Sequence, residues 1–280
     1  MNMERLNCGM RPAVMWRSTC IYISVVRTRL PFTLMALVTF PLSLITPIWG
    51  WTSGELPRYT ITSPAAIGRH LESRFSERQI ALLEKLNRSD RGHLGSLVRL
   101  VVPQDWTLDE LEYSPLTTRY DSKSTPNKLI IVHLPSQVFA GYERGELVHW
   151  GPVSSGAIHA PTPPGQYHLN WRSAGRCSTI NPEWYMPWYF NFDNALGLAF
   201  HEYTLPGKPG SHGCIRLLQR DAKWLYEWGE AAADCVSDGA AGRGTTVLIL
   251  GSYDYGAQPP WHSDDWWKTR IPLSALLLDR

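Results

Sequence analysis

Ser211-His212-Gly213-Cys214-Ile215-Arg216, with His201 closing the apolar run that begins at Leu196, is the stretch around which this 280-residue chain organises itself. A cysteine in a glycine-flanked turn, beside two histidines and an arginine, is the inventory of a thiol acyl-transferase. A free thiol has a pKa of about 8.5, so little of it is thiolate near neutrality. A neighbouring imidazole can take its proton, and backbone N–H groups at a tight turn can hold an oxyanion. An isolated cysteine is most often a small buried core residue. Here Gly210, Gly213, Ser211, His212 and Arg216 are unusual company for an inert one. A metal site built on His201, His212 and Cys214 is the rival, but the chain has no C-x-x-C, H-x-x-x-H or H-E-x-x-H pairing. No cofactor and no metal are expected.

The hexapeptide resembles the catalytic signature of the L,D-transpeptidase (YkuD) family, in which a histidine precedes an S-H-G-C-x-R/N segment by a short loop. Lys128 to Leu134 and Gln137 to Gly145 resemble that family's opening strands. Pro152 to Gly156 and Thr162-Pro163-Pro164-Gly165-Gln166-Tyr167 resemble its central segment, and Arg220 to Tyr226 with Thr246 to Leu250 its closing helix and strand. The blocks fall in order between Pro126 and Gly251, a little under half the chain. Two departures stand out. Glu202 follows His201 where the family commonly has glycine, and Cys214 lies only thirteen positions after His201. That interval implies a trimmed loop, Tyr203 to Gly210, over the site.

The resemblance implies an exported enzyme acting on peptidoglycan stem peptides, as donor and as acceptor. Cys214 would be the nucleophile and His201 the base, later the acid. Ser211, His212 and Gly213 would shape the turn, with the Gly213 and Cys214 N–H groups as the oxyanion hole. Arg216 would bind a substrate carboxylate, the alternative being an ion pair with Glu202 or Asp221. Attack on the L-centre carbonyl would expel D-alanine and leave a thioester that a neighbouring amine resolves. An L,D-carboxypeptidase using water, or a non-catalytic wall-binding protein, are the alternatives. A papain-like hydrolase is disfavoured because such chains place the cysteine ahead of the histidine.

The remaining sequence fits an envelope protein. A net charge of +2 and the absence of a basic stripe interleaved with aromatics give no footprint for nucleic acid. Arg27 and Arg29 precede an apolar run from Leu30 to Trp49, interrupted by three prolines. Residues 1–54 therefore read as an export signal, with an uncleaved membrane anchor as the alternative, and the expected location is the periplasm or cell envelope. The true start would then be internal, at Met35 or earlier. Without the leader the cysteines are Cys177, Cys214 and Cys235. If Cys214 stays free, Cys177 and Cys235 are one disulfide; two unpaired thiols are the alternative.

Residues 59–112 read as a small N-terminal domain. Ile80, Leu83 and Leu86 lie at helical spacing in a helix that begins after Ser76 and ends at Asn87, and Leu97 to Pro103 reads as a strand. Helix, Asn, loop and strand resemble the second half of a lysin-motif repeat, whose first strand is not recognisable. A helical lead-in packed on the catalytic domain is the alternative. Residues 113–127 read as a linker, 128–251 as the catalytic domain, and 252–280 as a Trp-rich tail. Within 128–251, short strands with Gly/Pro turns precede one helix, Asp221 to Cys235. The expected fold is α+β, mainly β: an L,D-transpeptidase-like mixed β-sandwich with one covering helix. The aromatic set Trp184, Tyr185, Trp188 and Tyr189 is divided between donor groove and core.

Overall fold

The computed structural model describes residues 56–67, 71–120, 126–234 and 243–273. The leader 1–54 and the thiol of Cys235 lie outside them. The lead-in comprises β1 (Tyr59–Thr62), α1 (Pro64–Ile67), α2 (Glu77–Asn87), α3 (Arg91–Leu94) and β2 (Leu100–Pro103). β1 pairs antiparallel with β2, Tyr59 opposite Pro103 and Thr62 opposite Leu100. Strand β1, which the sequence reading does not anticipate, is four residues long, too short to show a period.

Helix α2 starts where the sequence placed it because Ser76 and Gln79 form a reciprocal capping box. The Gln79 N–H donates to Ser76 Oγ at 3.4 Å and the Ser76 N–H to Gln79 Oε1 at 2.9 Å. Asn87 does more than end the helix. Buried, it donates from Nδ2 to the Leu83 and Val101 carbonyls and accepts the Val101 N–H, stitching α2 to β2.

The stretch from Lys128 to Leu250 contains β3 (Lys128–His133), β4 (Val138–Glu143), β5 (Glu146–Pro152), β6 (Gly165–His168), β7 (Trp171–Cys177), β8 (Tyr185–Asp193), β9 (Leu198–Glu202), β10 (Ile215–Leu217), α4 (Gln219–Trp228) and β11 (Thr246–Leu250). Two mixed sheets result, ordered β5-β4-β3-β11-β6 and β10-β9-β8-β7. They face each other across a core of Ile130, Val132, Phe139, Phe190, Phe200, Leu217 and Ile249, which α4 closes with Ala222 and Leu225. This is the expected mainly-β sandwich with one covering helix. The helix is shorter than predicted, because its ladder stops at Trp228 and Gly229 takes an extended conformation at the cap. Strand β8, the longest in the molecule's described part, was not anticipated as one element. Its Tyr, Trp, Pro and Asn content masks the period-2 signal.

The five-stranded sheet is buried on both faces, which accounts for the almost unbroken apolar run Leu129 to Val132. Leu129, Ile131, Val138 and Trp150 point away from the sandwich into a second core with Leu82 and Leu86 of α2, Val101 of β2, and Trp261 and Leu273. The stretch read as a linker contributes Tyr113 and Leu116 to that core, and the Trp-rich tail contributes Trp261. These flanking stretches thus share one compact unit with the two-sheet sandwich, Glu55–Arg280. Burial of Tyr113 and Leu116 there is a tertiary outcome.

Candidate active site

Strands β9 and β10 run parallel, with Phe200 beside Ile215 and His201 beside Arg216. Cys214 sits immediately before β10, so the parallel pairing brings residues thirteen apart in sequence to one end of the same sheet. Both open into a cleft of about 320 Å³ whose lining includes Trp171, Arg176, Trp184, Tyr189, Ser211, His212 and Arg216.

The His201 imidazole is nearly buried, 4% exposed. Its Nδ1 lies 2.9 Å from the Glu202 carbonyl. A carbonyl only accepts, so Nδ1 carries the proton and Nε2 keeps its lone pair. Glu202 in place of glycine leaves this arrangement intact, because the backbone oxygen makes the bond. Burial drives the imidazole pKa down to about 4; the Glu202 bond opposes this and the Arg216 charge adds to it. Burial also raises the Cys214 thiol, against a backbone hydrogen bond at Ala199 and the charges of Arg216 and Arg176. The resting pair is a neutral thiol and a neutral base. Cys214 is the free cysteine among the described residues. Its Sγ is 3.9 Å from the Gly197 carbonyl, and the side chain packs with Met186, Tyr189, Ala199 and Trp171.

The turn carrying Cys214 is fixed from inside and outside. Ser211 Oγ donates to the Cys214 carbonyl at 2.5 Å and accepts the Gly213 N–H at 3.0 Å. Gly213 has φ +102, a conformation that side chains disfavour. Thr162 links the turn to the loop after β5: its Oγ1 donates to the Gly213 carbonyl at 2.8 Å and accepts the Gly156 N–H at 2.9 Å. The bond to Ser211 corrects one expectation. The Gly213 N–H is committed, which leaves the Cys214 N–H as the available donor of the expected pair.

His212 is exposed, with its ring 4.8 Å from Trp184 and 5.4 Å from His159. It forms part of the cleft rim, opposite in character to the enclosed His201. Arg216 lies over the Tyr203 ring at 4.5 Å. The carboxylates weighed as its partners are elsewhere. Asp221 is held by His149 at 2.9 Å and Lys85 at 3.8 Å, and Glu202 Oε2 has no hydrogen-bond partner. Among the described residues Arg216 pairs with no carboxylate.

The loop Tyr203 to Gly210 is held by the lead-in. The Leu205 N–H donates to Asp90 Oδ2 at 2.7 Å, the Asp90 N–H to the Leu205 carbonyl at 2.9 Å, and the Gly207 N–H to the Arg88 carbonyl at 3.1 Å. Sequence reasoning missed this contact, since nothing local ties residues 115 positions apart. It also missed Arg176 and Trp171, which carry no motif. Of the aromatic set, Trp184 and Tyr189 line the cleft, whereas Trp188 packs against the sandwich core. Cys177 is disulfide-bonded. Among the described residues no group of three or more His, Cys, Asp or Glu could hold a metal ion.

Residues 127–249 match the family model of the L,D-transpeptidase catalytic domain. No curated protein matches the chain. Among solved structures, an L,D-transpeptidase from Stackebrandtia nassauensis is 26% identical over 48% of this chain and 60% of its own, with a TM-score of 0.38. One from Mycobacterium smegmatis is 18% identical over 45% and 59%, with a TM-score of 0.36. One from Mycobacterium tuberculosis is 22% identical over 45% and 58%, also at 0.36. The chain therefore spans less than two thirds of the length of these structures. The stretch that matches the L,D-transpeptidase catalytic-domain model, residues 127–249, includes both His201 and Cys214.

Proposed function

We propose that the protein is an exported cysteine acyl-transferase that crosslinks peptidoglycan stem peptides. The observation that carries the reading is the paired chemistry of one cleft. A free thiol on a constrained turn shares it with an imidazole whose Nδ1–H is pinned, leaving Nε2 as the proton acceptor.

In the first half-reaction Nε2 takes the thiol proton as Sγ attacks the carbonyl of the residue preceding D-alanine. The Cys214 N–H supports the oxyanion. Collapse breaks the amide bond, His201 returns the proton to the departing amine, and a thioester and free D-alanine result. An amine of a second stem then loses a proton to Nε2 and attacks the thioester, which regenerates the thiol. Arg216, which lies over the Tyr203 ring and pairs with no carboxylate among the described residues, binds the terminal carboxylate of the donor. The leader 1–54 directs the chain to the periplasm or cell envelope. There Cys235 is the proposed partner of Cys177.

Purified protein incubated with a tetrapeptide donor tests the reaction. Wild type should release D-alanine and show an intact-mass increase equal to the acyl tripeptide, and Cys214→Ala should do neither. D-alanine release by Cys214→Ala would overturn the mechanism. A tripeptide product without a crosslinked dimer, in the presence of acceptor, would make the enzyme an L,D-carboxypeptidase.

A further inference from the structure

Arg216 is one of two guanidinium groups bordering the cleft; the other, Arg176, comes from the far edge of the same sheet. The strand order β10-β9-β8-β7 places Arg216 on one edge strand and Arg176 on the other. Three strand spacings separate their backbones by about 14 Å. Both side chains line the cleft, and both act on the charge of Cys214.

A local irregularity turns Arg176 inward. Trp188, in the middle of β8, has φ 54, a conformation that is an outlier for a bulky residue. The β7–β8 register lacks a partner pair at that point, passing from Ser173–Tyr189 to Gly175–Pro187. Side chains beyond it change faces. Met186, three positions from Tyr189, joins it on the cleft side, and Arg176 is the residue opposite Met186. Trp188 itself goes to the sandwich core.

Once inward, the Arg176 guanidinium lies 5.3 Å from the Trp171 ring and 5.0 Å from the Tyr189 ring. Aromatic faces hold a cation in place without neutralising it. Among the described residues Arg176 has no carboxylate partner, its one polar contact being a 3.5 Å hydrogen bond from Nε to the Cys177 carbonyl. A strained backbone, a paired aromatic rest and an unneutralised cation in a substrate-sized cleft are the marks of a binding group.

We propose that Arg176 is a second carboxylate-binding residue, so that the cleft selects donor peptides carrying two free carboxylates, one for each arginine. Resting on the transpeptidase reading, Arg216 takes the terminal carboxylate and Arg176 takes the side-chain carboxylate of the residue that is acylated. A donor with that side-chain carboxylate amidated keeps the first contact and loses the second, because an amide cannot accept a charged fork.

Steady-state kinetics with two donors, free acid and side-chain amide, test this on wild type, Arg176→Gln and Arg176→Lys. Wild type should show a KM about tenfold or more lower for the free acid. Arg176→Gln should abolish the preference, bringing KM for the free acid to that for the amide on the same variant; Arg176→Lys should restore part of the preference. Equal loss on both donors, or no preference in wild type, would overturn the subsite while leaving the transpeptidase reading in place. Turnover of neither donor by wild type would sink that reading and the subsite with it.

Discussion

Replacing Lys85 by methionine should cost this fold about 3–5 kcal/mol at pH 7, although Lys85 is far from the cleft. The Lys85 side chain is 1% exposed. Its Nζ donates to the Trp150 carbonyl at 2.6 Å, pairs with Glu110, and lies 3.8 Å from Asp221 Oδ1. Asp221, on α4, is fully buried, and its Oδ2 has no partner. Burial would push this carboxyl up. The Lys85 charge, the His149 hydrogen bond and charge, and the Arg220 charge outweigh it and hold the pKa below the usual carboxylate value. Methionine keeps most of the volume, so the loss is electrostatic: a buried carboxylate and a buried carbonyl without their cation. The Glu110 half of the network is half exposed and contributes little. Against a total stability of about 5–15 kcal/mol, such a loss is a large fraction.

The pH dependence has a defined sign. In wild type a depressed folded pKa gives stability that is present above the unfolded value of about 3.9 and is lost as pH falls through the folded value. In Lys85→Met burial is less opposed, the folded pKa moves up, and the deficit should shrink as pH is lowered from 7 towards that raised value. Urea denaturation at pH 7 and pH 5 measures both terms. The double variant with Asp221→Asn should recover much of the loss. A deficit below about 1 kcal/mol at both pH values, or no recovery in the double variant, would refute the reasoning.

Two further outcomes follow from the site and its supports. Because burial lowers His201 to about 4, kcat/KM should hold through pH 5.5 and fall only as pH drops through about 4, where the protonated imidazole can no longer accept the thiol proton; an acid limb near 6.5 would contradict the buried environment. Asp90→Ala removes the acceptor of the Leu205 N–H and the N-cap of α3. It should cost about 1–2 kcal/mol and raise hydrogen exchange at the Leu205 amide, and unchanged exchange there would mean the lead-in does not hold the loop.

How far each feature could be read from the chain depends on the range of the interaction behind it. Helix α2 begins and ends as expected because its signals, Ser76, Gln79 and Asn87, are local. The hexapeptide marks a reactive turn because a glycine at positive φ, a hydroxyl three residues before a carbonyl it can reach and an adjacent thiol all lie within six positions. The apolar runs of β3 and β11 announce buried strands for the same reason. These the sequence by itself determined: a mainly β fold, a covering helix, and which cysteine and histidine to propose as nucleophile and base.

Tertiary structure alone decided the rest. Parallel pairing of β9 with β10 puts the His201 and Cys214 side chains into one cleft, and burial there keeps both neutral. Beyond Trp188, at φ 54, the alternation of β8 is broken, so that Met186 and the arginine opposite it, Arg176, which carries no motif, face the cleft. Residues 59–112 share a core with the five-stranded sheet because that sheet has a second apolar face, and Lys85 reaches Asp221 across 136 positions of chain. Such contacts depend on which surfaces meet, and no local propensity encodes the meeting of surfaces distant in sequence.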